Sequence, residues 1–153
     1  MTVIAVITRY KATEGEQGMG AQRTIDDPLV KLRQLCLALP ETSERLSHGE
    51  PTWFVGDKRA FVMFADHHHD DRLACWLAAP PDAQRALVAS EPERFFRPPY
   101  VGHRGWLGVW LDVPVDWDDL ADFVTDAYRI IAPKRLRAAL DANASTVPAP
   151  SGE

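Results

Sequence analysis

The chain has 153 residues, 46% of them apolar and 25% charged, and its 17 Lys and Arg against 22 Asp and Glu give a formal net charge of −5. That length suits one domain rather than two, and that composition excludes wholesale disorder. No apolar run approaches the roughly 20 residues of a membrane helix, and the acidic balance argues against a general nucleic-acid-coating protein, which is normally basic.

Residues 1–25 read as a leader, peripheral or disordered. Thr2 to Tyr10 is a β-prone run, and Thr13 to Gly20 is a Gly- and Glu-containing linker. Met19 is an alternative start. No basic segment precedes Val3–Ile7, so a signal peptide is not expected and a cytoplasmic location is. Cys36 and Cys75 sit in apolar surroundings, as core cysteines do, and two cysteines make neither a disulfide framework nor a zinc site.

The body is expected over residues 26–140. Asp26-Asp27-Pro28 signals a helix start, and Leu29, Leu32, Cys36 and Leu39 mark its apolar face up to Pro40. Four strand-like runs follow: a weak one at Arg45–His48, then Pro51–Val55, Arg59–Ala65 and Arg72–Ala78. Gly56-Asp57-Lys58 is a hairpin turn, and short loops make neighbouring strands antiparallel. Pro80-Pro81-Asp82 opens a second helix, which Glu91-Pro92 closes. Arg97 to Gly102 is extended or turning, and Gly105 to Asp112 is a strand. Asp116 caps a third helix with Leu120, Phe123, Val124, Ala127 and Ile131 as its buried stripe. Pro133 breaks it, leaving a short final turn or two at Leu136 and Leu140. Residues 141–153 are small and polar and read as a disordered tail. The order gives one α+β domain with a mostly antiparallel sheet flanked by helices.

Ser47-His48-Gly49-Glu50-Pro51-Thr52-Trp53-Phe54-Val55, with Lys58 and Phe61–Phe64, resembles the central motif of the MmcQ/YjbR family. Pro99-Tyr100-Val101-Gly102 through Trp106–Asp112 resembles its second motif. Ala127-Tyr128-Arg129 with Ala132–Leu136 resembles its ending. The resemblance covers about residues 29–140. It implies a secretion-chaperone-like fold, α-β(3)-α-β(2)-α, and a label of DNA-binding protein. It implies no reaction and no catalytic residues.

The functional expectation is a small binding protein of this type that contacts DNA and performs no catalysis. Lys58, Arg59, Arg97, His103 and Arg104 are the candidate phosphate contacts, with Tyr100 and Trp106 beside them for base stacking. Asp118, Asp122 and Asp126, at i, i+4 and i+8 on one helix face, would repel phosphate, so a DNA face lies elsewhere. A second reading is a small-molecule or enzymatic cleft built from His48, Glu50, Trp53, His103 and Trp106, where His beside Glu is an acid/base pair. A third is a homodimer. The strands are apolar on both faces, three helices cover one face, and Trp110 and Trp76 are the expected anchors; the competing account is that Arg94–Arg104 folds over the same surface as a lid. His67 to His69, with Asp66, Asp70 and Asp71, reads as a solvated or adventitiously metal-binding tip, and no resident metal or other cofactor is expected.

Overall fold

Helix α1 (Pro28–Leu37) starts where the Asp-Pro signal puts it. Asp27 Oδ1 accepts from the Leu29 amide at 2.8 Å, which satisfies one of the donors left open at a helix start. Leu29, Leu32 and Cys36 of the expected stripe are buried. The computed structural model describes residues 26–67 and 70–146. The expected leader, His68, His69 and the last seven residues lie outside the described residues. Backbone contacts divide the chain into two units at Gln34/Leu35, and the α+β domain described below is the second.

Four strands follow in order: β1 (Thr42–Ser47), β2 (Glu50–Val55), β3 (Arg59–Asp66) and β4 (Leu73–Leu77). Helix α2 (Ala83–Ser90) leads to a two-residue strand β5 (Phe95–Phe96), then to β6 (Leu107–Trp110). The sheet order is β1-β2-β3-β4-β6-β5, and every pairing is antiparallel. The resemblance implied three strands after the first helix; there are four, because the weak Arg45–His48 run is a full edge strand from Thr42.

Both sheet faces are apolar, as the sequence indicated, but the partition differs. The register between β2 and β3 shifts between Trp53 and Phe54, which pair with Val62 and Ala60. Phe61 is therefore an extra residue in a bulge and joins Val62 on one side instead of alternating with it. It meets Tyr128 edge to face, with ring centroids 5.8 Å apart. Trp53, Phe64, Cys75, Leu77, Phe95, Leu107 and Val109 share that side and are all buried. Helix α3 (Trp117–Ile131) covers it with Leu120, Val124, Ala127, Tyr128 and Ile131, and Phe123 packs edge-on against Phe95 at 5.5 Å. Asp116 caps α3 by accepting from the Asp119 amide at 3.0 Å.

The other side carries Thr52, Phe54, Met63, Ala65, Ala74, Trp76, Phe96, Gly108 and Trp110. The segment after β5 lies over part of it. Pro98 is buried, and Arg97 and Pro99 line one cavity together with Trp76 and Trp110. Trp76 is buried, and Trp110 is sandwiched: Phe96 stacks on it at 4.0 Å and the Arg72 guanidinium lies 3.7 Å from its ring. The aromatic anchors expected of an interface are thus engaged within the chain.

Helix α4 (Lys134–Thr146) is longer than the turn or two expected, and it carries six residues of the segment read as a disordered tail. The Leu136 and Arg137 amides bond the Pro133 carbonyl to start it, and Arg129 reaches across from α3 to Asp141 at 2.6 Å. That ion pair ties the helix beyond residue 140, a contact that composition does not encode. No described helix is long and apolar enough to cross a membrane.

Candidate functional site

The antiparallel register sorts the turns and helix ends between two ends of the sheet. The β2–β3 turn, the end of β4, the start of β6 and the junction of α3 with α4 lie at one end. The β1–β2 turn, the β3–β4 loop, the end of β6 and the start of α3 lie at the other. The first end holds Lys58, Arg59, Arg97, His103, Arg104, Lys134, Arg135 and Arg137. The second holds Glu50, Asp66, Asp70, Asp71, Asp112, Asp116, Asp118 and Asp119; fewer opposite charges sit among them, Glu41 and Asp57 at the first end and Arg72 and Arg94 at the second. An acidic chain therefore carries a basic end and an acidic end.

Among the described residues, most arginine side chains are already tied to carboxylates or carbonyls of the fold. Arg72 donates to both oxygens of Asp112, at 3.0 and 2.7 Å, and the guanidinium beside it holds that carboxyl below its ordinary range. Arg94 bridges Glu91 and Asp119, both at 2.8 Å. Arg85 pairs with Asp82, and Arg129 with Asp141. Arg45 bonds the Asp57 carbonyl and lies 3.6 Å from the Phe54 ring centroid. By contrast, among the described residues the side chains of Lys58, Arg59, Arg97 and Lys134 make no hydrogen bond or ion pair, and all four residues are exposed. The Arg104 guanidinium lies 5.5 Å from the Trp106 ring centroid.

Two of these unneutralised cations face a groove. The β2–β3 turn and the α3–α4 junction enclose about 530 Å³, lined by Lys58, Arg59, Arg135 and Arg137 with Glu41 and Asp57. Val55, Ile131 and Leu136 form an apolar floor. Four cations against two carboxylates leave the groove positive. The turn is placed by Gly56, whose φ of 63° suits glycine and whose amide donates to the Glu41 carbonyl at 2.7 Å. Arg135 donates to both oxygens of Glu41, at 3.0 and 3.1 Å, and this holds the Glu41 carboxyl below its ordinary range. Arg137 donates to the Ala132 carbonyl at 2.9 Å.

The structure thus brings Lys58 and Arg59 together with Arg135 and Arg137, two residues that were not among the candidate phosphate contacts. The basic run directly after Pro133 was the available signal; its meeting with a hairpin turn seventy-odd residues earlier is a tertiary fact. Arg97, His103 and Arg104 lie at the same end of the sheet but outside this groove. His103 and Arg104 are in a short 3-10 turn, Gly102–Arg104.

The cleft reading is corrected. His48 is in the β1–β2 turn and His103 precedes β6, so the two imidazoles lie at opposite ends of the sheet and share no cleft. His48 and Gly49 have φ of 55° and 83°, the two positive values of a type I′ hairpin between the paired Ser47 and Glu50. Glu50 is buried and accepts from the Asp66 amide at 3.2 Å. Trp53 is fully buried on the α3 side, donating to Glu44 at 2.9 Å. Trp106 is also buried, and its carbonyl accepts from Gln84 at 2.6 Å. Both tryptophans, offered as site residues, belong to the interior. Tyr100, at 70% exposure, remains the accessible aromatic of that loop.

His67 lies against Asp66, whose hydrogen bond raises the imidazole pKa above its ordinary value. Among the described residues no cluster of three or more His, Cys, Asp or Glu side chains is placed to hold a metal ion. Burial pushes the Cys75 thiol up to about 12 and raises Cys36 as well, so neither is a poised nucleophile.

A family model described as YjbR matches residues 37–130. A solved structure, the Deinococcus radiodurans protein DR2400 with its DUF419 domain, is similar at 20% identity and a TM-score of 0.59, over 78% of this chain and 88% of that one. No curated protein matches. The structural likeness reports the fold.

Proposed function

The chain belongs to the YjbR family, and on that premise we propose that it binds anionic ligands, with the phosphates of nucleic acid as the class, and carries out no catalysis of its own. The observation that carries this reading is the contrast in neutralisation. Seven of the arginines described above are tied to carboxylates or carbonyls of the fold, while Lys58 and Arg59 line, with side chains unpaired among the described residues, a groove that Arg135 and Arg137 also line. Cations kept unpaired on a chain of net charge −5 mark a surface suited to an external anion. The groove is open, with an apolar floor, and its cations come from a turn and a helix start, so it suits a strand laid across it. Exposed Asp118, Asp122 and Asp126 on α3 would repel the same strand, which keeps it off the exposed face of that helix.

Fluorescence anisotropy with a labelled 20-nucleotide single strand and the matching duplex, at low salt, tests the reading. The expected result is saturable binding that is lost when Lys58 and Arg59 are both changed to Glu while the circular dichroism spectrum is kept. Absence of binding by the unmodified protein to either form overturns it.

A further inference from the structure

On the sheet face opposite α3, two alanines pair across neighbouring strands: Ala65 of β3 is opposite Ala74 of β4, and Ala74 is opposite Trp110 of β6. Small residues in the middle of an aromatic face leave a dent. It is lined by the buried Trp76 and by Trp110, whose ring is already covered by Phe96 and Arg72, and Arg97 and Asp70 line it as well. The dent holds about 160 Å³, close to the roughly 150 Å³ of an apolar cavity known to take one benzene-sized ring.

The two arginines differ. Arg72 is committed to Asp112 and to the Trp110 ring. Arg97 is exposed, and its guanidinium makes no hydrogen bond or ion pair among the described residues. Its side chain is nevertheless held: a Cβ at Gly102 would come within 2.6 Å of Arg97 Cγ, so the arginine stem lies directly on that glycine. A positioned, unpaired guanidinium lining a ring-sized dent beside two tryptophans combines two complementary requirements. The dent takes a flat ring, and the guanidinium takes the anion attached to it.

We propose that this cavity binds the pyrimidine ring of a nucleotide, with the nucleotide's phosphate on Arg97. The inference rests on the nucleic-acid reading above and deepens it: the groove at Lys58 and Arg59 would hold backbone, and the cavity would hold one unstacked base. The larger purine ring system exceeds a one-ring dent. A duplex, with its bases stacked inside, offers nothing to it, so the preferred ligand is a single strand.

The test compares three probes on the full chain: an oligo-dT strand, an abasic strand of equal length, and thymidine monophosphate. Binding is read by anisotropy for the labelled strands and by quenching of tryptophan fluorescence for the mononucleotide. The expected result is about ten-fold tighter binding of oligo-dT than of the abasic strand. Ala74→Val, which fills the dent with a β-branched residue suited to a strand, is expected to erase that ratio while leaving abasic binding unchanged. Ala65→Val serves the same purpose should the first variant not fold. Saturable quenching by thymidine monophosphate that Ala74→Val removes would identify a free nucleotide as a sufficient source of the ring. Equal affinity for oligo-dT and abasic strands overturns the cavity inference and leaves the phosphate reading standing. Failure of both strands to bind overturns both.

Discussion

Arg135 and Glu41 are 94 residues apart in sequence and form a two-pronged ion pair, at 3.0 and 3.1 Å, across one wall of the basic groove. Both groups are well exposed, so the pair adds little to stability. Its larger effect is electrostatic. Glu41 occupies the guanidinium that would otherwise face a bound anion. Replacing Glu41 by Gln is expected to raise affinity for a single strand several-fold and to leave thermal stability nearly unchanged. Anisotropy beside a thermal melt checks it; unchanged affinity would place the bound anion away from Arg135.

The His48-Gly49 turn yields a prediction of the opposite kind. His48 holds φ at 55°, where a side chain with a Cβ is strained and Asn is better tolerated. His48→Asn should stabilise the fold by roughly 0.5 kcal/mol, a fraction of the ~1–2 kcal/mol cost of that backbone region. Strand affinity should not move. A loss of affinity would give His48 a role in binding that its position at the acidic end does not support.

Much of the architecture was legible because it rests on local chemistry. Asp27-Pro28 and Asp116 are helix caps, Gly56-Asp57-Lys58 is a turn, and the α3 stripe is a matter of spacing; each appears within two residues of its expected place. What was not legible depends on pairing. The Phe61 bulge follows from the β2–β3 register, β5 is two residues long, and the Arg129–Asp141 bridge that extends α4 joins separate helices. The same divide runs through the candidate site. Lys58 and Arg59 were visible as exposed cations at a turn, whereas their meeting with Arg135 and Arg137 needed the fold. His48 and His103 each look alike as a histidine beside glycine, and only strand direction shows that they lie at opposite ends.

Gly108 faces Phe96 across the β5–β6 pair, and a Cβ built there would overlap the Phe96 ring. Gly108→Ala must displace Phe96 from its stack on Trp110. The expected cost is about 1–3 kcal/mol, the range for overpacking, together with a change in the near-ultraviolet circular dichroism of the tryptophans. An unchanged melt would mean that the loop following β5 moves away at no cost, contrary to the buried Phe95 and Pro98 that flank the ring.

Both cysteines should resist thiol reagents in the native protein. Burial raises Cys36 and lifts Cys75 to about 12, so neither forms appreciable thiolate at neutral pH. A disulfide-exchange reagent at pH 8 is expected to report no fast-reacting thiol natively and two equivalents in denaturant. The folded thiol pKa values are raised, so the neutral thiols are compatible with the fold throughout the neutral range. The contribution of the thiols to stability is expected to fall at alkaline pH, once the unfolded-state thiols ionise above their ordinary value of 9.0. One fast equivalent at neutral pH would contradict the buried placement.

The central claim is that the basic end receives phosphates, and salt dependence tests it most directly. Each phosphate neutralised on a single strand contributes about −0.7 to the slope of log K against log salt. With Lys58, Arg59, Arg135 and Arg137 engaged, the slope for oligo-dT should lie at about −2 to −3. The Lys58→Ala, Arg59→Ala double variant should flatten it by about 1.4. Binding that does not weaken with salt, or a double variant with the same slope as the unmodified protein, would contradict the account.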